Sequence, residues 1–99
     1  RTEDAADISL ALGILESKAG NYDKADASLR EAVSLNANDT AKRESAYLWL
    51  AKTAKARGEF DEAEGYATLV VTLFDQDEAV REAQKLLDSM RDTKKGAAK

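Results

Sequence analysis

Cysteine and histidine are both missing from this sequence of 99 residues, and their absence removes thiolate and imidazole chemistry together. No disulfide, no ordinary zinc site and no Ser-His or Cys-His nucleophile can be assembled. Long apolar runs are missing too. The longest, Thr68-Leu69-Val70-Val71-Thr72-Leu73-Phe74, is far short of a membrane span, and no signal-peptide pattern is present, so this segment is not expected to insert into a membrane. A glycine-rich phosphate loop is lacking, because the glycines of interest end helical patterns instead of opening them. Carboxylates are abundant, but nearly all fall on polar helix faces, where no pair converges for acid–base work. Tyr22, Tyr47 and Tyr66 have packing roles that account for them. The expectation is therefore a protein that is not an enzyme, with no catalytic residue, cofactor or metal.

What is present is a phrase said twice. Gly20-Asn21-Tyr22-Asp23-Lys24-Ala25 returns as Gly58-Glu59-Phe60-Asp61-Glu62-Ala63, at a spacing of 38. In each copy an apolar helical pattern runs up to the glycine and another leaves from the aromatic. Glycine adopts the left-handed conformation that ends a helix, and the aromatic packs back over the turn. Two helical hairpins follow, and because such a unit cannot bury its apolar face alone, neighbours must stack.

The residues around the phrase resemble the tetratricopeptide repeat, whose pattern runs W-x2-L-G-x2-Y, then A-x3-F, then proline. In the first copy Ser9, Leu12 and Gly13 stand at the W, L and G positions, Glu16 at the tyrosine, Ala25 and Leu29 at A and F, Ala32 at the following small residue, and Ala37 at the proline. In the second, Tyr47, Leu50, Ala51 and Ala54 are followed by Ala63, Ala67, Val70 and Asp75. The chain departs from the family in three ways: the first copy lacks both aromatics of its first helix, proline is absent, and the spacing exceeds the family's 34 by about one helical turn, placed between Asn36 and Ser45. The resemblance implies an all-α fold, an α-helical hairpin solenoid of two repeats and a C-terminal capping helix.

Residues 1–5 read as an N-terminal stub, with Asp4 capping the first helix, 6–39 as the first repeat and 40–75 as the second. Residues 76–92 read as a capping helix or the start of a third repeat, and 93–99 as a disordered tail or linker. Ile8, Leu12, Leu15 and Ala19 form the stripe expected where the first helix presses on a neighbour. Ala25, Leu29, Ala32 and Val33 continue the core, then Tyr47, Leu50, Ala51 and Ala54, then Ala63, Ala67, Val70, Val71 and Phe74, and last Val80, Ala83, Leu87 and Met90. Asp75-Gln76-Asp77-Glu78 lacks the glycine and terminal glutamate of a calcium loop and reads as a capping cluster. The start at Arg1 and the small number of repeats lead to the expectation of a fragment of a larger scaffold.

The net charge is −4, unevenly spread: Thr40 to Gly58 holds five basic residues and one acidic, and Glu59 to Val80 holds seven acidic and no basic. Intramolecular pairing of the two stretches is one reading. Lys42, Ser45, Trp49, Lys52 and Lys55 share one helix face, opposite Tyr47, Leu50 and Ala54. In tetratricopeptide proteins the first helix of each repeat lines the concave side, so the resemblance implies a groove of Asp7, Leu10, Ile14, Ser17 and Lys18, then Ser45, Leu48, Trp49, Lys52 and Lys55.

The groove expected to bind a partner thus comprises Leu10, Ile14, Ser17, Ser45, Leu48, Trp49, Lys52 and Lys55. An apolar floor rimmed by lysines suits a protein or peptide with an acidic group. Trp49 carries two readings, ligand contact and packing over the joint between repeats. The family's lysine–asparagine clamp for chaperone tails is absent, since Leu10, Ile14 and Trp49 occupy its positions. Nucleic acid is not expected of an acidic chain whose basic helix has a single aromatic. The competing reading makes the same surface a homo-oligomerisation or intramolecular docking face. The stretch from Ala46 to Ala51 and the long spacing are also similar to bacterial cell-envelope tetratricopeptide proteins, which would imply an assembly role. The residues leave cytoplasm and periplasm equally open.

Overall fold

The computed structural model describes residues 2–74 and 77–97. Five helices follow one another: α1 (Thr2–Lys18), α2 (Tyr22–Leu35), α3 (Thr40–Ala56), α4 (Phe60–Leu73) and α5 (Glu78–Ala97). The first and third are 17 residues long and the second and fourth 14, each pair offset by 38, so the repeated phrase is a repeated structure. Asp39 caps α3, where its Oδ1 accepts from Lys42 N at 3.1 Å.

Gly20 and Gly58 make the two hairpin turns at φ 84° and 80°, in the left-handed region where a Cβ is disfavoured. Beyond each glycine the next amide reaches back into the helix, Asn21 N to Glu16 O at 2.8 Å and Glu59 N to Ala54 O at 2.9 Å. These bonds satisfy carbonyls that the helix end leaves open. A cap of the kind that starts α3 also starts α5, where Asp77 Oδ1 accepts from Val80 N at 3.0 Å. Asp77 belongs to the predicted capping cluster; Asp75 and Gln76 of the same cluster lie outside the described residues.

The helices form two layers, α1, α3 and α5 in one and α2 and α4 in the other. Central α3 packs against all four of the others. Ala25, Leu29 and Ala32 of α2, Leu50, Ala51 and Ala54 of α3, and Ala63, Ala67 and Val70 of α4 are buried as the periodicity predicts, and Val80, Ala83 and Met90 of α5 join them. Val71, Phe74 and Leu87 pack partly buried against this core. Tyr47 stacks on Tyr66 with ring centroids 6.2 Å apart.

The first helix departs from expectation. Ile8, Leu12 and Leu15 are exposed, as is Ala19, and the buried residues of α1 are instead the small ones, Ala6, Ser9 and Gly13. A Cβ on Gly13 would stand 2.6 Å from Leu29 Cγ, so α1 and α2 approach too closely for large side chains. Both ends of the chain are also more helical than expected. α1 begins at Thr2, which places Asp4 inside the helix instead of at its cap, and α5 passes Thr93 and runs to Ala97. Arg1, Ala98 and Lys99 lie outside the described residues.

Candidate functional site

The residues expected to form a groove fall mainly on the α1 and α3 side of one layer. Leu10, Ile14 and Ser17 lie on the flank of α1 turned toward α3, and Ser45, Trp49 and Lys52 lie on the matching face of α3; all six are half-buried. Three contacts hold the helices together along this line. Asp7 pairs with Lys42, Ser17 Oγ and Thr53 Oγ1 share a hydrogen bond of 2.9 Å, and the Lys18 ammonium stands 5.5 Å from the Trp49 ring centroid. The Asp7 carboxylate raises the pKa of Lys42 above the ordinary lysine value, chiefly through their hydrogen bond.

Trp49 is the centre of this arrangement. Two ammonium groups stand near its ring, Lys52 Nζ at 4.3 Å from the centroid and that of Lys18 from the other helix. Such contacts favour a tryptophan left partly in water, because the ring's negative face attracts the cations. The backbone below is fixed as well, since Thr53 Oγ1 donates to Trp49 O at 2.7 Å. Thr53 thereby links the α3 backbone to Ser17 of α1, a role that nothing in the spacing had singled out.

Leu48 does not join the groove. It is buried in the core with Ala51, Ala67, Val70, Val80 and Ala83, because α5 lies over the flank of α3 that Leu48 faces. The same helix engages two of the rim lysines. Lys52 Nζ meets Glu82 Oε1 at 3.1 Å, and Lys55 Nζ donates to Ser89 Oγ at 2.8 Å. Lys55 therefore works in the α3–α5 joint, while Lys52 serves both the joint and the Trp49 ring.

The basic stretch around α3 thus pairs with α1 and α5, and Arg57 reaches Asp23 at the start of α2 at 3.2 Å. Acidic α4 finds a cation on α2: Arg30 meets Glu62 of α4 at 2.5 Å and Asp26 of its own helix at 2.8 Å, with its guanidinium 5.8 Å from the Tyr66 ring of α4. A hollow of about 380 Å³ at the α2–α3 turn, lined by Ala6, Asn36, Asp39 and Lys42 among others, is off the groove. Its buried amide is already used, as Asn36 Nδ2 donates to Ala32 O at 2.8 Å and to Ala6 O at 3.3 Å. Among the described residues no helix is long and apolar enough to cross a membrane.

Compared with known proteins, residues 6–39 match a family model described as a tetratricopeptide repeat. No curated protein and no solved structure matches the chain. The matched span contains α1 from Ala6 onward, the Gly20 turn and all of α2.

Proposed function

We propose, from the match of residues 6–39 to the tetratricopeptide repeat, a unit that generally mediates protein–protein interaction, that the α1–α3 face binds a segment of a protein partner. The segment is apolar where it meets Leu10, Ile14 and Trp49 and acidic where it meets Lys18 and Lys52. Ser17 and Ser45 supply polar contacts, and Lys55 acts by holding α5 in place. The observation that carries this reading is Trp49, a large aromatic left half-exposed with two ammonium groups near its ring at the joint of two helices. Aromatic anchors of this kind supply most of the energy in small interfaces, and surrounding charge selects the partner and speeds encounter.

Trp49 is the only tryptophan, so its fluorescence reports the site directly. An array of short peptides that varies apolar and acidic positions independently is the probe. Peptides with an apolar centre and a flanking Asp or Glu are expected to bind and shift the Trp49 emission, more weakly at high salt. Trp49→Ala is expected to weaken the best of them by about 30-fold or more. Equal binding of acidic and basic peptides, or binding that Trp49→Ala and Lys18→Glu leave unchanged, would refute the assignment.

A further inference from the structure

Lys18 and Lys52 both stand at the Trp49 ring, and the contacts around them make the two unequal. Lys52 Nζ, 4.3 Å from the ring centroid, is also 3.1 Å from Glu82 Oε1 on α5. Its charge is thus paired within the chain. The other lysines of this face are engaged as well. Lys42 pairs with Asp7 and stands 3.8 Å from Asp39, and Lys55 Nζ donates to Ser89 Oγ at 2.8 Å. Lys18 differs from all three. It lies exposed in the last turn of α1, 5.5 Å from the Trp49 centroid, and among the described residues it forms no ion pair. Glu16, two residues before it, is taken up by α2, where Ser28 Oγ donates to its Oε1 at 2.6 Å. The carbonyl end of α1 offers Lys18 only about half a negative charge, so part of the ammonium's field is open to a ligand.

On the premise that the α1–α3 face binds a partner segment, we propose that Lys18 receives the partner's acidic group and that Glu82 of α5 keeps Lys52 from receiving one. Glu82 is then a specificity-determining residue on a helix outside the groove. It occupies Lys52 as a partner carboxylate would, so an incoming acid gains there only by displacing it. Exchanging one exposed carboxylate for another gains little, because both pairs form in water. An acid at Lys18 makes a new pair without breaking an old one. Lys52 keeps a different task, with its ammonium held against the Trp49 ring. Leu10, Ile14 and Lys18 follow one another at i, i+4 and i+8 on α1, so the partner meets apolar side chains along the helix and places its acid at the C-terminal end. The site therefore fits a segment with one acidic group beside its apolar part, and it does not reward a run of acids.

Trp49, the only tryptophan, reports the local charge without any partner. Iodide and acrylamide, one anionic and one neutral, quench its emission by collision. At fixed ionic strength the ratio of their quenching constants follows the positive potential at the ring. Lys18→Gln is expected to lower that ratio by about 2-fold, and Glu82→Gln, which releases Lys52, to raise it by about as much. Lys52→Gln with Glu82→Gln removes the pair as a unit and leaves the ratio nearly unchanged. The peptide array is the second arm, with circular dichroism to check that each variant stays helical. Lys18→Gln lowers the preference for acidic over neutral peptides by about 2- to 5-fold, whereas removal of the Lys52–Glu82 pair leaves that preference in place. A second acid in the peptide adds little affinity to the natural chain and about 2- to 5-fold to Glu82→Gln. A ratio indifferent to Lys18→Gln, a pair removal that lowers it as far as Lys18→Gln does, or a fall in Glu82→Gln would overturn the proposal, and none of these results needs a peptide. An array in which nothing binds overturns the groove reading and this inference with it. Binding whose acid preference survives Lys18→Gln overturns this inference alone.

Discussion

The two hairpins of this chain share a turn, a length and a register, and they differ in what lies on their N-terminal side. α3 has α1 and α2 there, and its stripe of Ala46, Leu50 and Thr53 is sealed. For α1 no helix of the chain fills that place, and Ile8, Leu12 and Leu15 are open. The comparison shows that burial in a repeat belongs to the position between two neighbours, not to the residue. It also shows that the first and last helices are unlike, since α5 exposes Arg81, Glu82, Lys85 and Asp88 where α1 exposes Ile8, Leu12 and Leu15.

Equivalent substitutions in the two hairpins test this. The largest difference is expected between Leu50→Ala and Leu12→Ala. The first empties a sealed site and costs about 2–5 kcal/mol in urea unfolding. The second trims an exposed side chain and changes stability by under about 0.5 kcal/mol. Similar losses at both positions would mean that this face of α1 is covered.

Next in size is the helix crossing. Gly13 and Ala51 are equivalent, yet a methyl on Gly13 meets Leu29 side-chain atoms at 2.6 and 2.7 Å and its backbone nitrogen at 3.2 Å, whereas Ala51 is accommodated and fully buried. Gly13→Ala is expected to cost about 1–3 kcal/mol as overpacking, measured by thermal or urea melts. A gain in stability would show that Leu29 yields without strain.

Tyr66 sharpens the contrast through pH. Its counterpart in the first hairpin is Ser28, which cannot titrate in this way. Burial raises the Tyr66 phenol above its ordinary pKa, and the nearby Arg30 guanidinium partly opposes the shift. Because the folded chain holds this proton more tightly, the contribution is complete below the usual tyrosine value of about 10 and is lost as pH rises through the folded value. Stability should therefore fall on the alkaline side, and less steeply in Tyr66→Phe. An unchanged alkaline slope in that variant would remove Tyr66 from the account.

The smallest effect is expected at Gly65, in α4, whose counterpart in α2 is Ala27. No atom lies within 4 Å of a Cβ placed there, so Gly65→Ala should stabilise the chain by up to about 1 kcal/mol, read as a rise in the urea midpoint. A loss would reveal a contact at that surface.

How much of this was legible in advance varies from helix to helix. The cores of α2, α4 and α5 were readable because each shows one apolar stripe against a polar remainder, and period alone then fixes the inward face. α1 was not, because it has apolar residues on several sides. Ile8, Leu12 and Leu15 are the larger set, yet Ala6, Ser9 and Gly13 are the buried one. Of the proposed groove, Ser45, Trp49 and Lys52 could be placed on one face from spacing. Leu48 was misplaced and the engagement of Lys55 with Ser89 was unforeseen, since both depend on where α5 comes to rest. The Ser17–Thr53 bond joins residues 36 apart, with no local pattern to announce it.

By itself the sequence determined the hairpins: glycines at positive φ, aspartate caps and helical apolar periods act within a few residues, so neighbours along the chain suffice to specify them. Only the tertiary structure decided which faces those helices hide. α1 crosses α2 where Gly13 lets Leu29 approach, and that packing leaves the larger apolar stripe of α1 exposed.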